Sequence, residues 1–319
     1  MRPAKKLLAI FLSAVVTVAA CSESFPEGKK EGPAVSGTEN LKAEVSFSGR
    51  VVFQSDLDGD NEIYLLTSKG LKKLTDNTWS DEYPKWSPDG KWVAFNSNRT
   101  GNFDIYVMNE DGGQVRQITS GPRDEVEHAW FPGGRKIAYT EEVKRPFGKS
   151  YSLWSVDLDT LLKGRLLAEF QGSNALPAFS PAGLLLAFTG KKTMGWDVFV
   201  YDLETKAVKN LTNNGKTCRP AFSPDGSRMA YVSHEADGKG DIWIMGQDGA
   251  GKTRLTARDD SYDYFPCWSP DGRFVLFCSN TKSMYADKGD WDLYLAEAGS
   301  GRAFLFFRSP GRDVFPDWR

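Results

Sequence analysis

Trp86-Ser87-Pro88-Asp89-Gly90 decides the fold, because it returns along the chain. It recurs as Trp130-Phe131-Pro132-Gly133-Gly134, Phe179-Ser180-Pro181-Ala182-Gly183, Phe222-Ser223-Pro224-Asp225-Gly226 and Trp268-Ser269-Pro270-Asp271-Gly272. A shortened form, Phe47-Ser48-Gly49, precedes the series. The closing glycines stand 41, 44, 49, 43 and 46 residues apart. A period of about 40–50 residues in strand-like units is the mark of propeller blades. Within each unit, proline presets φ for a turn and glycine takes the left-handed position that closes it.

Working outward, each unit repeats one grammar. An aromatic strand enters the turn, and a second strand leaves it: Trp92 to Phe95, Lys136 to Tyr139, Met229 to Tyr231, Phe274 to Phe277. A third strand follows as Glu62-Ile63-Tyr64, Asp104-Ile105-Tyr106, Asp197-Val198-Phe199, Asp241-Ile242-Trp243 or Asp292-Leu293-Tyr294. A short fourth strand is expected to end at Leu74-Thr75, Ile118-Thr119, Leu211-Thr212 and Leu255-Thr256. Four strands with tight turns make one blade.

The first unit lacks its opening strand, whereas Phe315-Pro316-Asp317-Trp318 matches Tyr83-Pro84-Lys85-Trp86 and has nothing after it. Placing both ends in one blade leaves no broken unit and no bare sheet edge. The expected fold is therefore all-β: a six-bladed propeller of four-stranded antiparallel blades over residues 45–319, one blade shared by the two ends of the chain.

The N-terminal stretch reads as a targeting segment. Arg2, Lys5 and Lys6 precede an uncharged run from Leu7 to Val18, and Ala19-Ala20-Cys21 follows. That run is too short to span a membrane, which takes about 20 apolar residues. Val18-Ala19-Ala20-Cys21 resembles the lipobox of bacterial lipoproteins. On that resemblance residues 1–20 are a signal peptide and Cys21 is the lipidated residue. Residues 21–44 are polar and carry Pro26 and Pro33, so they read as a flexible tether. Removing residues 1–20 removes three cations and no acid, taking the formal charge from −2 to −5. That balance argues against nucleic acid as a partner, since such binding is dominated by Lys and Arg neutralising phosphates.

The repeats resemble the WD-like units of the C-terminal propeller of TolB, over residues 49–319. Similar units occur in propellers attached to prolyl-oligopeptidase-type enzymes. The resemblance implies a propeller of the cell envelope. Two differences stand beside it: TolB carries a folded domain before its propeller, and TolB is soluble in the periplasm. Ser22 after the lipidated cysteine lacks the aspartate of inner-membrane retention. By that family rule the anchor is the outer membrane, facing the periplasm.

Gly246-Gln247-Asp248-Gly249-Ala250-Gly251-Lys252-Thr253 fits the phosphate-loop pattern, but that chemistry needs a helix after the loop, and Arg254-Leu255-Thr256 reads as strand. It is expected to be a blade turn, with no nucleotide. Asp56-Leu57-Asp58-Gly59-Asp60-Asn61-Glu62 resembles a calcium loop yet has Thr67 where the bidentate glutamate belongs. His128 and His234 are the only histidines, and no Gly-x-Ser-x-Gly elbow is present. Cys218, Cys267 and Cys278 are expected as buried free thiols, with Cys267 opposite about Val275 and so out of register with Cys278; a Cys218–Cys267 bridge across adjacent inner strands is the alternative.

Most length variation falls between strands two and three and between blades, at 141–150, 233–240 and 279–291. These loops share one face, where recognition is expected. Trp79, Tyr83, Phe147, Tyr151, Trp196, Tyr262, Tyr285 and Trp291 are placed there, with Trp79, Tyr83, Tyr262 and Trp291 as the candidate contacts. Three residues before the repeat's proline position stand Asp81, Glu125, Asn174, Thr217, Asp263 and Asp313. Asp81, Glu125, Asp263 and Asp313 would form an acidic ring at the channel mouth. The ring suits a basic peptide segment or a divalent cation such as calcium, and otherwise its acids cap turns. No other cofactor is implied.

The expected function is a membrane-anchored, non-catalytic scaffold binding an envelope protein or peptide. The alternatives are a carbohydrate-active lyase or hydrolase using the mouth carboxylates, and a propeller that binds glycans or solutes.

Overall fold

The computed structural model describes residues 49–319 apart from 147, 193 and 283–288. Cys21, the signal peptide, the tether, Phe147 and Tyr285 lie outside the described residues. Among the described residues every regular element is a strand, and the strands form six four-stranded sheets.

The shared blade is built as expected. Val314–Trp318 is its inner strand and pairs with Val51–Ser55, which continues to Glu62–Thr67 and Gly70–Lys73. The other five blades, numbered 1 to 5 along the chain, begin with inner strands Asp81–Trp86, Glu125–Trp130, Ser173–Phe179, Thr217–Phe222 and Tyr262–Trp268. The shared blade is blade 6.

Local chemistry explains each turn. In Ser87-Pro88-Asp89-Gly90 the Gly90 amide donates to the Ser87 carbonyl at 2.9 Å, and the Ser87 hydroxyl donates to Asp89 at 2.6 Å. Gly90 has φ +69°, a conformation in which a Cβ is strained. In the equivalent turn of blade 4, donation from Ser223 and then Ser227 holds the Asp225 carboxyl down at about 2.

The Leu-Thr or Ile-Thr pairs do not end the outer strands as expected; those strands stop short of them. The threonine hydroxyl instead accepts from the third strand's amide: Ile63 to Thr75 at 2.9 Å, Ile105 to Thr119 at 2.8 Å, Val198 to Thr212 and Ile242 to Thr256 at 3.0 Å each. The backbone still pairs on the other side of that residue, as where the Leu74 amide donates to the Ile63 carbonyl at 2.8 Å, so the side chain completes the rung.

The hairpin of blade 2 also departs from expectation. Residues 141–150 are not an irregular loop. Lys136–Arg145 and Gly148–Asp157 run ten residues each and stay in register from Lys136 opposite Asp157 to Arg145 opposite Gly148. The strands project beyond the blade as a two-stranded ribbon.

The core lies between blades. Phe53, Phe95, Tyr139, Phe188, Tyr231 and Phe277, all on second strands, are fully buried. Cys267 and Cys278 are buried free thiols, with Cys267 opposite Leu276 and Cys278 opposite Tyr264, out of register as expected. Cys218 is buried as well, and with Cys267 free no bridge joins the two.

Candidate functional site

The six entry residues of the inner strands come first on the path into the channel. Asp81, Glu125, Asn174, Thr217, Asp263 and Asp313 are all buried. Several staple their blade to the preceding one. The amides of Asp81, Glu125, Thr217, Asp263 and Asp313 donate to Asn61, Phe103, Trp196, Gly240 and Trp291, each of which immediately precedes a third strand.

Their side chains are engaged as well, although Glu125 Oε2 and Asp263 Oδ2 have no hydrogen-bond partner. Arg99 Nη2 lies 3.1 and 3.2 Å from the two Asp81 oxygens, and Asn77 donates to Asp81 at 2.8 Å. Lys163 donates to Glu125 at 2.7 Å, and Ser279 to Asp263 at 2.6 Å. Ser309 donates to Asp313 through both its amide and its hydroxyl, each at 2.9 Å. Burial pushes the carboxyls of Glu125 and Asp263 up, and that of Asp313 up to about 6. Among the described residues no group of three or more His, Cys, Asp or Glu is assembled that could hold a metal ion. The geometry is that of locally bonded strand entries rather than carboxylates converging on an ion.

The candidate aromatic contacts scatter. Trp79 is 46% exposed on the loop face, its amide bonded to Asn77. Tyr262 is partly buried beneath Lys239. Trp291 is fully buried, edge-on to Tyr264 and Phe265 at 5.9 and 6.2 Å, so it packs blade 5 and is not a surface contact. Tyr83 sits in the channel.

Tyr83 belongs to a feature that composition and turn motifs do not reveal. Two residues after each entry position, the chain adopts a left-handed conformation without glycine. The residues are Tyr83 (φ 56°), Glu127 (49°), Leu176 (55°), Arg219 (56°), Phe265 (58°) and Phe315 (54°). Each inner strand slips its register there, a β-bulge in every blade. Proline follows in five blades and His128 in the sixth, so five of the bulges have no N–H to satisfy at that position. The left-handed residue's own amide finds a side chain across the blade interface. Leu176 donates to Thr140 at 3.2 Å and Arg219 to Thr189 at 3.0 Å.

Four of these side chains meet from blade to neighbouring blade. Tyr83 meets Phe315 at 4.9 Å between ring centres, Phe315 meets Phe265 at 4.3 Å, and Arg219 covers Phe265 at 4.6 Å. Glu127, 5% exposed, faces Arg219 and Tyr83 electrostatically, and burial pushes its carboxyl up to about 7. On the side of the Ser-Pro-Asp-Gly turns the ring floors a cavity of about 550 Å³. Its walls are prolines and aromatics, with Lys85, Arg219, Arg319 and Asp317 as charged members. None of the acidic entry residues lines it. A cavity of this size with a few placed polar groups has the usual form of a ligand pocket.

His128 lines the same cavity. Its Nδ1 lies 3.2 Å from Asn96 Oδ1, while Asn96 donates its own amide to the Glu125 carbonyl at 2.7 Å. Asn96 Oδ1 therefore accepts, the proton sits on Nδ1, and Nε2 is left as a bare acceptor. Burial drives the imidazole pKa down to about 3, so the ring is neutral.

The two tempting motifs resolve plainly. Residues 246–253 join Asp241–Gly246 to Thr253–Arg254 as a hairpin, with Gly246 donating to Ala250 at 2.8 Å. In the calcium-like loop, Asp58 is bonded to Lys73 and Tyr64 and Asp56 to Arg312.

An uncharacterized protein of Agrobacterium fabrum is 27% identical over 269 residues, covering 81% of this chain and 87% of its own. Dipeptidyl-peptidase 5 of Porphyromonas endodontalis is 26% identical over 68% of this chain, which spans only 32% of that enzyme. The crystal structure of TolB from Acinetobacter baumannii superimposes with a TM-score of 0.70 at 21% identity, covering 87% of this chain and 68% of that one. The model of the Tricorn protease N-terminal beta propeller domain matches residues 62–169. The model of the TolB beta propeller domain matches residues 129–293, more than half of the 319-residue sequence, and the chain belongs to that family.

Proposed function

We propose that this chain is a non-catalytic scaffold, held to the envelope membrane by lipid on Cys21, that binds a protein or peptide partner. The observation that carries this reading is the channel ring. Six blades each commit a strained, non-glycine bulge to one layer of side chains, and such conformations persist where the surrounding structure over-determines them, often at ligand sites. The aromatic and proline walls beside that layer offer rigid apolar contact of the kind enriched at the centres of protein interfaces. Membership of the TolB propeller family agrees with an envelope setting.

The acidic entry residues support the lyase or hydrolase alternative poorly, because each is engaged by an arginine, lysine or serine of its own neighbourhood. Photo-crosslinking in cells tests the scaffold reading, with the reactive side chain placed at Trp79 or at Ala178. A defined protein adduct from one position and not the other is expected. Glycan depolymerisation or peptide cleavage by the purified chain, without any adduct, would refute the scaffold reading. Fractionation of Cys21→Ser tests the anchor: the variant should become soluble, since stable anchoring relies on acyl chains.

A further inference from the structure

Arg219 is 6% exposed, and among the described residues no carboxylate stands within ion-pairing distance of it. Its Nη1 reaches only the Cys218 sulfur, at 3.5 Å, and its Nε has no partner. The guanidinium is sandwiched by chemistry that orients but does not neutralise it, with Phe265 at 4.6 Å and Tyr264 at 5.7 Å. A buried cation without a counter-ion is expensive unless something supplies the missing charge. Its nearest acidic neighbour in the ring, Glu127, has an unpartnered Oε2 of its own, so the two do not satisfy each other.

A second unpartnered group faces the same space. His128 Nε2, in a residue 1% exposed, has no donor. The cavity therefore offers a charged donor at Arg219 and a bare acceptor at His128. Between them Tyr83, Phe315 and Phe265 form an apolar wall.

Shape narrows the ligand further. The ring side chains floor the cavity, and every residue lining it lies at the ring or towards the Ser-Pro-Asp-Gly turns. A pocket floored by such side chains favours the end of a chain over its middle. Lys85, Arg219 and Arg319 against Asp317 alone make it electropositive. We propose that this pocket captures the C-terminal end of an extended peptide. The terminal carboxylate sits on Arg219, and a backbone N–H of the peptide donates to His128 Nε2. Recognition of a chain terminus by fixed polar groups is an established mode of peptide binding. The proposal deepens the scaffold reading and rests on it for the class of partner.

The test uses the detergent-solubilised full chain and two probes, a mixed pool of acetylated pentapeptides with free C-termini and the same pool amidated. Free-acid peptides should bind at least tenfold tighter, the usual scale of a charge-assisted bond. Arg219→Gln should abolish the difference, while Arg219→Lys retains part of it. If Arg219→Gln does not fold, Ala178→Phe replaces it, narrowing the pocket from its wall; weakened binding of the free-acid pool is then expected. Equal binding of the two pools, or a preference that survives in Arg219→Gln and Ala178→Phe, overturns the assignment. So does Arg219-dependent binding of a galacturonate trimer with no binding of either peptide pool, which would make the ligand a uronate. Crosslinking of a protein partner in cells together with equal binding of both pools would sink the terminus site while leaving the scaffold reading intact.

Discussion

Arg50 and Arg319 exchange both of their backbone hydrogen bonds: each amide donates to the other's carbonyl. One residue precedes the first strand and the other follows the last, so the pair is the clasp of the ring. Gly49 lies against it, where a Cβ would come within 2.6 Å of the Arg319 carbonyl oxygen. Inward of the clasp, Val314–Trp318 fills the centre of blade 6, with Asp317 opposite Val52 and Val314 opposite Gln54.

Deleting residues 313–319 should therefore remove an inner strand, not a margin. Blade 6 would keep three strands and expose the edge of Val51–Ser55 beside the channel. The expected outcome is a broadened, non-cooperative thermal transition by circular dichroism. A truncated chain that melts sharply at the full-length temperature would contradict closure by this strand.

The acidic entry residues invite a test by ion and by substitution. Asp81 is gripped by Arg99 and Asn77, and Asp263 by Ser279. With these partners in place, Asp81→Asn combined with Asp263→Asn should weaken the fold by about 2–4 kcal/mol, since each change leaves a buried donor poorly matched. Calcium or a chelator should shift the melting temperature of neither protein. A rise with calcium in the wild type that vanishes in the double variant would restore the cation site at the channel mouth.

The blades were legible because their signal is local. Ser87, Asp89 and Gly90 interact within four residues, so their pattern survives in the one-dimensional sequence, and closure followed from matching Phe315 to Tyr83. The channel ring was hidden for the opposite reason. Tyr83, Glu127, Leu176, Arg219, Phe265 and Phe315 share a backbone conformation and no side-chain chemistry. What they share in sequence is a position, directly before the repeat's proline or His128. Alignment on that proline column would have found the ring. Trp291 is buried against Tyr264 and Phe265, contacts that no spacing in the repeat encodes. The acids at 81, 125, 263 and 313 share a position that alignment of the repeats shows. Their partners, Arg99, Lys163, Ser279 and Ser309, come from different blade positions and no repeat reveals them.

Left-handed geometry at Leu176 makes a separate prediction. A β-branched residue is poorly tolerated at φ 55°, whereas it suits an extended strand. Leu176→Val should destabilise by about 2 kcal/mol or more, the strain adding to the lost methylene. Leu186→Val, at a fully buried position on the neighbouring second strand, should cost about 1 kcal/mol. Denaturant midpoints that are equal for the two variants would show that the bulge tolerates branching.

Glu127 links this ring to pH. Its carboxyl is 5% exposed, Oε2 has no partner, and burial outweighs the opposing pull of Arg219, raising the pKa from 4.5 to about 7. A carboxyl raised in the folded state favours the protonated form, so its contribution to stability is fully present below about pH 4.5. The contribution is lost as pH rises through about 7, a change of about 3 kcal/mol for a shift of this size. Asp313 and Asp241, pushed up by burial to about 6 and about 7, tilt the wild-type curve the same way, so only a difference isolates Glu127. Glu127→Gln imitates the protonated carboxyl. Measured by urea unfolding, it should match the wild type at pH 4.5 and exceed it at pH 8 by about 3 kcal/mol. A constant offset across that range would mean that Glu127 titrates as an ordinary carboxylate, and that Arg219 neutralises it after all.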